Sequence, residues 1–325
     1  MIKINTVLGP ISSEALGLTL VHEHIAVGFP GWECDPLSRP YDRKQIAQLC
    51  LKSLEPLKVY GVQSIIDATP PDLDRDVDLL KEISEKLQIN IICSTGRYTE
   101  DMGKWAYLRQ RSKSRIGRMD QELYEGFMQE ITKGIGLSAV KPGVIKVATG
   151  LNGISPVEEA LLRAAARAGK ETGLPIITHT EAGTMGPEQA ALLIKEGADP
   201  KRIMIGHMCG NPSLSYQMSV LSQGVHIAFD RFGLELFLPD RVRIAMLVGL
   251  LGVGYTDRIM MSQDFMGCVL GRGGRLPEEA GQKVANWSFS HIFGHILPAL
   301  KQAGISDEQI RTMMIDNPRR LFSGE

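Results

Sequence analysis

The feature that most constrains this chain is a rhythm. Short apolar runs rich in β-formers recur eight times, with helix-patterned segments between most of them. The runs are LTLV at 18–21, QSIIDA at 63–68, INIICS at 89–94, GVIKVA at 143–148, PIITH at 175–179, RIMIGH at 202–207, VHIAFD at 225–230 and RIMMSQD at 258–264. Of the segments between, SPVEEALLRAAARAGKETG at 155–173 opens on Ser155 as an N-cap, places Pro156 at the first helical position and stops at Gly173. The stretch GPEQAALLIKEGADP at 186–200 is punctuated in the same way. Strand and helix alternating in this manner predict an α/β fold, a (β/α)8 TIM barrel, as one domain over residues 1–325. A doubly wound open sheet is the competing arrangement.

Composition narrows the class of function. With 43% hydrophobic residues, 22% charged residues and a net charge of −1, nothing favours nucleic acid or an anionic membrane surface as a partner. The five cysteines, Cys34, Cys50, Cys93, Cys209 and Cys268, form no CxxC pair, which argues against a disulfide framework or a thiolate zinc site and favours a reducing compartment. The N-terminus lacks a basic-then-apolar leader, and the longest apolar run, IAMLVGLLGVGY at 244–255, is too short to cross a bilayer; a cytoplasmic location is expected.

In a parallel barrel, chemistry gathers at the carboxyl ends of the strands, where the loops converge on one mouth. Those ends carry His22 and His24, Asp67, Lys146, His179, His207, Asp230 with Arg231, and Asp264. A lone HxH more often marks a hydrogen-bonded core pair than a metal site. Here four of the seven histidines fall at strand ends, and strand alternation places His22 and His24 on one face, so the set points to a metal centre. Imidazole and carboxylate donors suit zinc first, with manganese, cobalt or iron as alternatives. Lys146 is the odd member. An ammonium about 5 Å from a dication is repelled by several kcal/mol even at an effective dielectric of about 20. Beside metals it must be neutral, modified or turned away.

These residues carry a resemblance. VHEH at 21–24, IKVA at 145–148, ITHTEAG at 177–183, IGH at 205–207 and SQDF at 262–265 resemble the binuclear-metal phosphotriesterase family of the amidohydrolase superfamily. FDRFGLELFLP at 229–239 and STGRYTE at 94–100 are similar to the phosphotriesterase-like lactonases, and the likeness extends from INTVLGPI at 4–11 to DNPRRLF at 316–322. It implies two divalent ions: His22, His24 and Asp264 holding the more buried one, His179 and His207 the more exposed one, and a carboxylated Lys146 bridging them. It further implies a bridging hydroxide as nucleophile, Asp264 as its proton acceptor, Tyr98 over the dinuclear centre, Arg231 behind it and a homodimer. The implied substrates are small lactones or esters, acylated homoserine lactones among them, with side activity on phosphotriesters. Hydrolysis of anionic lactones, carboxylate esters or organophosphates is an alternative, and a non-catalytic metal-holding barrel is another.

Several residues carry a second reading. Tyr98 is otherwise a loop aromatic packing on its neighbours, Arg231 a salt-bridge partner of Asp230 or Asp264, and Asp67 either a support for a ligand histidine or purely structural. One departure from the family pattern stands out: Gly210, in HMCGNPSL at 207–214, occupies the place of a proton-relaying aspartate. Cys209 reads as a small buried filler, and Met266 as a pocket-lining residue. His291 and His295 read as helix surface or interface, and RQRSKSRIGR at 109–118 as a solvated loop. GRGGRLPEEAG at 271–281 reads as a long exposed loop; its Arg272 and Arg275, with Arg97 and Lys104, are either recruiting cations at the rim or ordinary surface charge.

Overall fold

The computed structural model describes residues 2–114, 116–151, 153–272 and 276–325. An antiparallel hairpin, β1 (Lys3–Thr6) and β2 (Gly9–Ser12), comes first. Its four-residue strands, turning at Val7–Leu8, are too short to carry an alternation signal, and the sequence reading does not contain them.

Eight parallel strands follow: β3 (Thr19–Glu23), β4 (Ser64–Asp67), β5 (Asn90–Gly96), β6 (Val144–Thr149), β7 (Ile176–Thr180), β8 (Ile203–Ile205), β9 (His226–Phe229) and β10 (Ile259–Met261). Each overlaps one of the eight expected runs. They pair in sequence order from β3 to β10, which is barrel order and excludes the doubly wound alternative. The seam between β10 and β3 closes at the mouth end, where Asp264 N–H donates to the His22 carbonyl (3.1 Å), His24 N–H to the Phe265 carbonyl (3.0 Å) and Gly267 N–H to the His24 carbonyl (2.8 Å).

Helices α1 (Arg43–Leu54), α2 (Val77–Leu87), α3 (Ala106–Lys113), α4 (Met119–Lys133), α5 (Pro156–Thr172), α6 (Gly186–Lys195), α7 (Leu214–Leu221) and α8 (Asp240–Gly252) lie in the crossovers. Helix α5 starts as expected. The Ser155 hydroxyl accepts from Glu158 N–H, the Glu158 carboxylate accepts from Ser155 N–H, and Gly173 ends the helix with φ 73°. The basic run at 109–118 is not all loop, because α3 takes in its first half. Arg111 there pairs with Glu122 and Arg118 with Asp120.

Inside the barrel every strand contributes one apolar residue to a single cluster: Val21, Ile66, Ile92, Val144, Ile177, Met204, Ala228 and Met260. Ile4 and Leu16 from the N-terminal segment and Leu321 and Phe322 from the C-terminal helix close it from below. The barrel is a packed core with a floor, and the only direction left for chemistry is the mouth. No helix among the described residues is long and apolar enough to cross a membrane.

Candidate active site

Two residues beyond the floor, the inward positions change character. Ile92, Val144, Ile177, Ala228 and Met260 are followed at that spacing by Ser94, Lys146, His179, Asp230 and Ser262, all buried. His22 joins them by a different route. Regular alternation from Val21 would turn it outward with Leu20, but β3 carries one extra residue between Leu20 and Glu23 relative to β4. This bulge brings His22 inward, and His24 lies just past the strand end, bridged to Met266. The expectation that both imidazoles face one site holds, but simple period-two alternation is not the reason.

The side chains converge tightly. His22 Nε2 lies 2.7 Å from Lys146 Nζ and 3.7 Å from Asp264 Oδ1, and His24 Nε2 lies 3.3 Å from the same oxygen. His207 Nε2 is 2.9 Å from His179 Nδ1 and 3.8 Å from Asp264 Oδ2. The Tyr98 hydroxyl reaches to 3.4 Å from His179 Nδ1 at the opening of the site. Arg231 Nε donates to Asp264 Oδ2 at 3.0 Å, and the arginine stands 5.6 Å from the Phe237 ring centroid. Arg231 is therefore an ion-pair partner of Asp264 as well as a wall of the mouth. All nine expected strand-end residues are buried.

Buried carboxylates between the strands hold this arrangement. Asp230 Oδ2 accepts from His22 Nδ1–H (2.8 Å), and its Oδ1 accepts from both the backbone N–H (2.9 Å) and Nδ1–H (3.0 Å) of His207. Asp67 accepts from Ile25 N–H (2.8 Å) and Thr69 N–H (3.1 Å), and the Thr69 hydroxyl meets His24 Nδ1 at 2.8 Å. Asp67 thus supports a candidate ligand through Thr69. Asp72 accepts the backbone N–H of Tyr98 (3.0 Å), and Glu181 Oε2 lies 3.1 Å from His179 Nε2. Two residues of the site, His207 (φ 59°) and Asp264 (φ 53°), adopt the left-handed backbone conformation. For side chains other than glycine this costs about 1–3 kcal/mol, so the surroundings must enforce it.

Electrostatics at the mouth follow from burial. Desolvation brings the Lys146 ammonium down to about 7 and His179 to about 4, and it lowers His22 and His207 as well. Burial alone would raise Asp264, but His207, His24, His22 and Arg231 outweigh it and keep the carboxyl well below its ordinary range. Burial raises the Tyr98 phenol, which stays protonated at neutral pH.

The donor set can be tested against a metal on these contacts alone. Bonding of His207 Nδ1 to Asp230 and of His179 Nε2 to Glu181 leaves His207 Nε2 and His179 Nδ1 with lone pairs facing each other across 2.9 Å. A proton between them is disfavoured by the depressed basicity of both rings. A cation is not, and ligand nitrogens about 2.0–2.1 Å from one ion stand roughly 3 Å apart. His22, His24 and Asp264 form one group with ligand atoms within 4.8 Å of one another, and His22, His207 and Asp230 form a second.

Comparison with known proteins decides the family. The model of the phosphotriesterase family matches residues 2–322. The chain belongs to the phosphotriesterase family. The aryldialkylphosphatase of Saccharolobus solfataricus is 33% identical over 314 residues, covering 96% of this chain and 97% of the relative. A phospho-furanose lactonase of Mycoplasmopsis agalactiae is 30% identical over 330 residues, covering 98% and 91%. The solved organophosphorus hydrolase of Deinococcus radiodurans superposes with a TM-score of 0.95 at 42% identity, covering 99% of this chain and 97% of that one. This phosphotriesterase-family chain is accordingly a hydrolase acting on ester bonds, in a family that works with a binuclear metal centre.

The open readings at the rim and elsewhere narrow. Lys104 is paired with Asp74 and with Glu33 (3.5 Å), and Arg272 with Asp35 (2.6 Å), which favours ordinary surface charge over recruiting cations for both. Arg97 donates to the Lys104 carbonyl (3.3 Å), and Arg275 lies outside the described residues. His291 is not on a helix surface: it is buried, 2.7 Å from Asp240, although its stacking partner His295 is exposed. His226 is a neutral core imidazole, lowered to about 3 by burial. A side chain at Gly210 would meet the Ala182–Gly183 backbone at 3.2–3.3 Å, so the missing aspartate coincides with a close approach of two loops. Cys209 is a buried filler, as expected. Sequence reading missed the bridging role of Asp230, the supports Thr69 and Asp72, and the carboxylates of Glu23 and Glu181. Only the ITHTEAG and VHEH motifs, which contain the last two, gave a signal for any of them.

Proposed function

We propose that this chain is a lactonase of the phosphotriesterase family, acting on acylated homoserine lactones among other lactones and more weakly on phosphotriesters. Two divalent ions, zinc first among the candidates, would be held by His22, His24 and Asp264 and by His179 and His207, with Lys146 as a carbamate between them. When bound, such ions lower the pKa of water and act as Lewis acids toward a carbonyl or phosphoryl oxygen. The observation that carries the reading is the contact of a fully buried Lys146 amine with His22 Nε2 at 2.7 Å, inside a ring of neutral imidazoles. An uncharged amine is the form that adds carbon dioxide, and carboxylation removes the one positive charge that would oppose cations there.

The chain's own groups divide the remaining work. Asp264, held ionised by its neighbours, accepts the proton that attacking water loses. Arg231 fixes that carboxylate through Oδ2, leaving Oδ1 turned toward His22 and His24. Tyr98 keeps its phenolic proton and stands at the mouth as a donor for the ring oxygen of a lactone as the C–O bond opens. Phe237, exposed over Arg231, offers an apolar surface for an acyl chain.

Assay of the metal-supplied protein on a lactone panel, a p-nitrophenyl ester and paraoxon tests this reading. The expected result is kcat/KM for the best lactone at least about tenfold above paraoxon. Ester or phosphotriester turnover far above every lactone would reject it. The phospho-furanose lactonase relative favours a second reading, an anionic lactone substrate, in which Arg97 is the mouth-side cation; a phosphorylated lactone outrunning all neutral ones would select it.

A further inference from the structure

Glu23 sits between two site histidines in VHEH, is completely buried, and has no part in the chemistry just described. Its carboxylate reaches across the seam to the tip of β10. Oε1 accepts from the Ser262 hydroxyl (2.6 Å) and from Gln263 N–H (2.9 Å), and Oε2 accepts from Phe265 N–H (2.8 Å). Those two amides flank Asp264, the residue in the left-handed conformation. The Ser262 hydroxyl in turn accepts from His22 N–H (3.0 Å), and Asp264 N–H is bound by the His22 carbonyl. One carboxylate therefore grips the chain on both sides of the inverted residue.

The chemistry of the grip is selective. Burial pushes the Glu23 carboxyl up to about 8 against the pull of its three partners. Each oxygen nevertheless faces a backbone N–H that can only donate, so both must accept, whereas a glutamine has one acceptor oxygen and would point an NH2 group at a backbone N–H on the other side. An aspartate is one methylene short. The other left-handed residue of the site, His207, is held in a parallel way by Asp230, but Asp230 also bonds two imidazole rings. Among the described residues Glu23 bonds only two backbone amides and the Ser262 hydroxyl, so its influence on the reaction passes through Asp264.

We propose that Glu23 is a positioning residue for hydrolysis: it holds the Asp264 peptide inverted so that the Asp264 carboxylate faces His22, His24 and Arg231. This rests on the assignment of Asp264 as proton acceptor. The test is Glu23→Gln, prepared with divalent ions supplied, compared with the parent in steady-state kinetics on the best lactone and in a crystal structure. The expected result is a kcat lower by about 10–100-fold with KM changed less than about threefold. In the crystal, residue 264 leaves the left-handed region or loses its contact with Arg231. Added to Asp264→Asn, the substitution has no further effect on kcat, which a general loss of structure would not reproduce. A Glu23→Gln protein with the parent kcat, or one whose kcat falls while residue 264 stays as it is, overturns the proposal.

If Glu23→Gln does not fold, Ser262→Ala, which removes one of the three donors, decides by the same two measurements, with an expected loss in kcat of about three- to tenfold. If the parent hydrolyses no lactone or phosphotriester, the functional reading has failed, and the backbone of residue 264 in the Glu23→Gln or Ser262→Ala crystal still decides whether the carboxylate holds it.

Discussion

The floor and the mouth of this barrel are built by the same inward-facing stripe of the same strands, two residues apart, and their chemistry is opposite. At the floor, Val144, Ile177, Ala228 and Met260 pack into an apolar plug. At the mouth, Lys146, His179, Asp230 and Ser262 are as deeply buried and are polar. The floor is stabilised by area removed from water. The mouth is tolerated only because each polar group has a partner, and without those partners every one would be a cost. One layer serves the fold and the next serves the reaction.

That contrast can be broken from either side. Asp264→Asn should have the largest effect, a loss in kcat on the order of 10³-fold, read by steady-state kinetics per folded molecule. Ile177→Ala at the floor should do the reverse, costing about 3 kcal/mol in urea unfolding with kcat per folded molecule within about twofold. Asp230→Asn lies between, because it removes the shared acceptor of His22 and His207; a loss of about 10–100-fold in activity or metal affinity is expected.

A smaller effect separates Lys146 from the floor by pH. In the metal-free protein its ammonium is depressed to about 7 from 10.5, so between those values the unfolded chain binds more protons than the folded one, and stability rises with pH. Urea unfolding of metal-free protein should show a gain of about 2 kcal/mol from pH 7 to pH 9, largely absent in Lys146→Met. The smallest expected effect is at the rim: Arg272→Ala, already paired with Asp35, should change KM for an anionic lactone by less than about twofold. A larger shift would extend the functional layer outward to that loop.

The floor was legible in the sequence because an apolar strand between helices leaves a local signature, and each of the eight runs overlaps a strand. The mouth was legible in part. His179, His207, Lys146 and Asp264 could be placed by reading strand ends, because the barrel brings all its carboxyl ends to one side. Their partners could not. Asp230 meets His22 from 208 residues away and Glu23 meets Gln263 from 240, and no spacing within a segment encodes such a pairing. The β3 bulge escaped for a related reason: one extra residue changes which face His22 takes, and it is defined only against β4. The rim cations kept two readings because a charge is visible in a sequence, whereas the carboxylate that pairs with it is not identifiable there.

The central claim is that the polar layer of the mouth is a metal centre, and elemental analysis of protein purified without chelator tests it most directly. The account predicts close to two divalent transition ions per chain, falling sharply in Lys146→Met. Protein that is folded, hydrolyses lactones at full rate and carries no stoichiometric metal would contradict it.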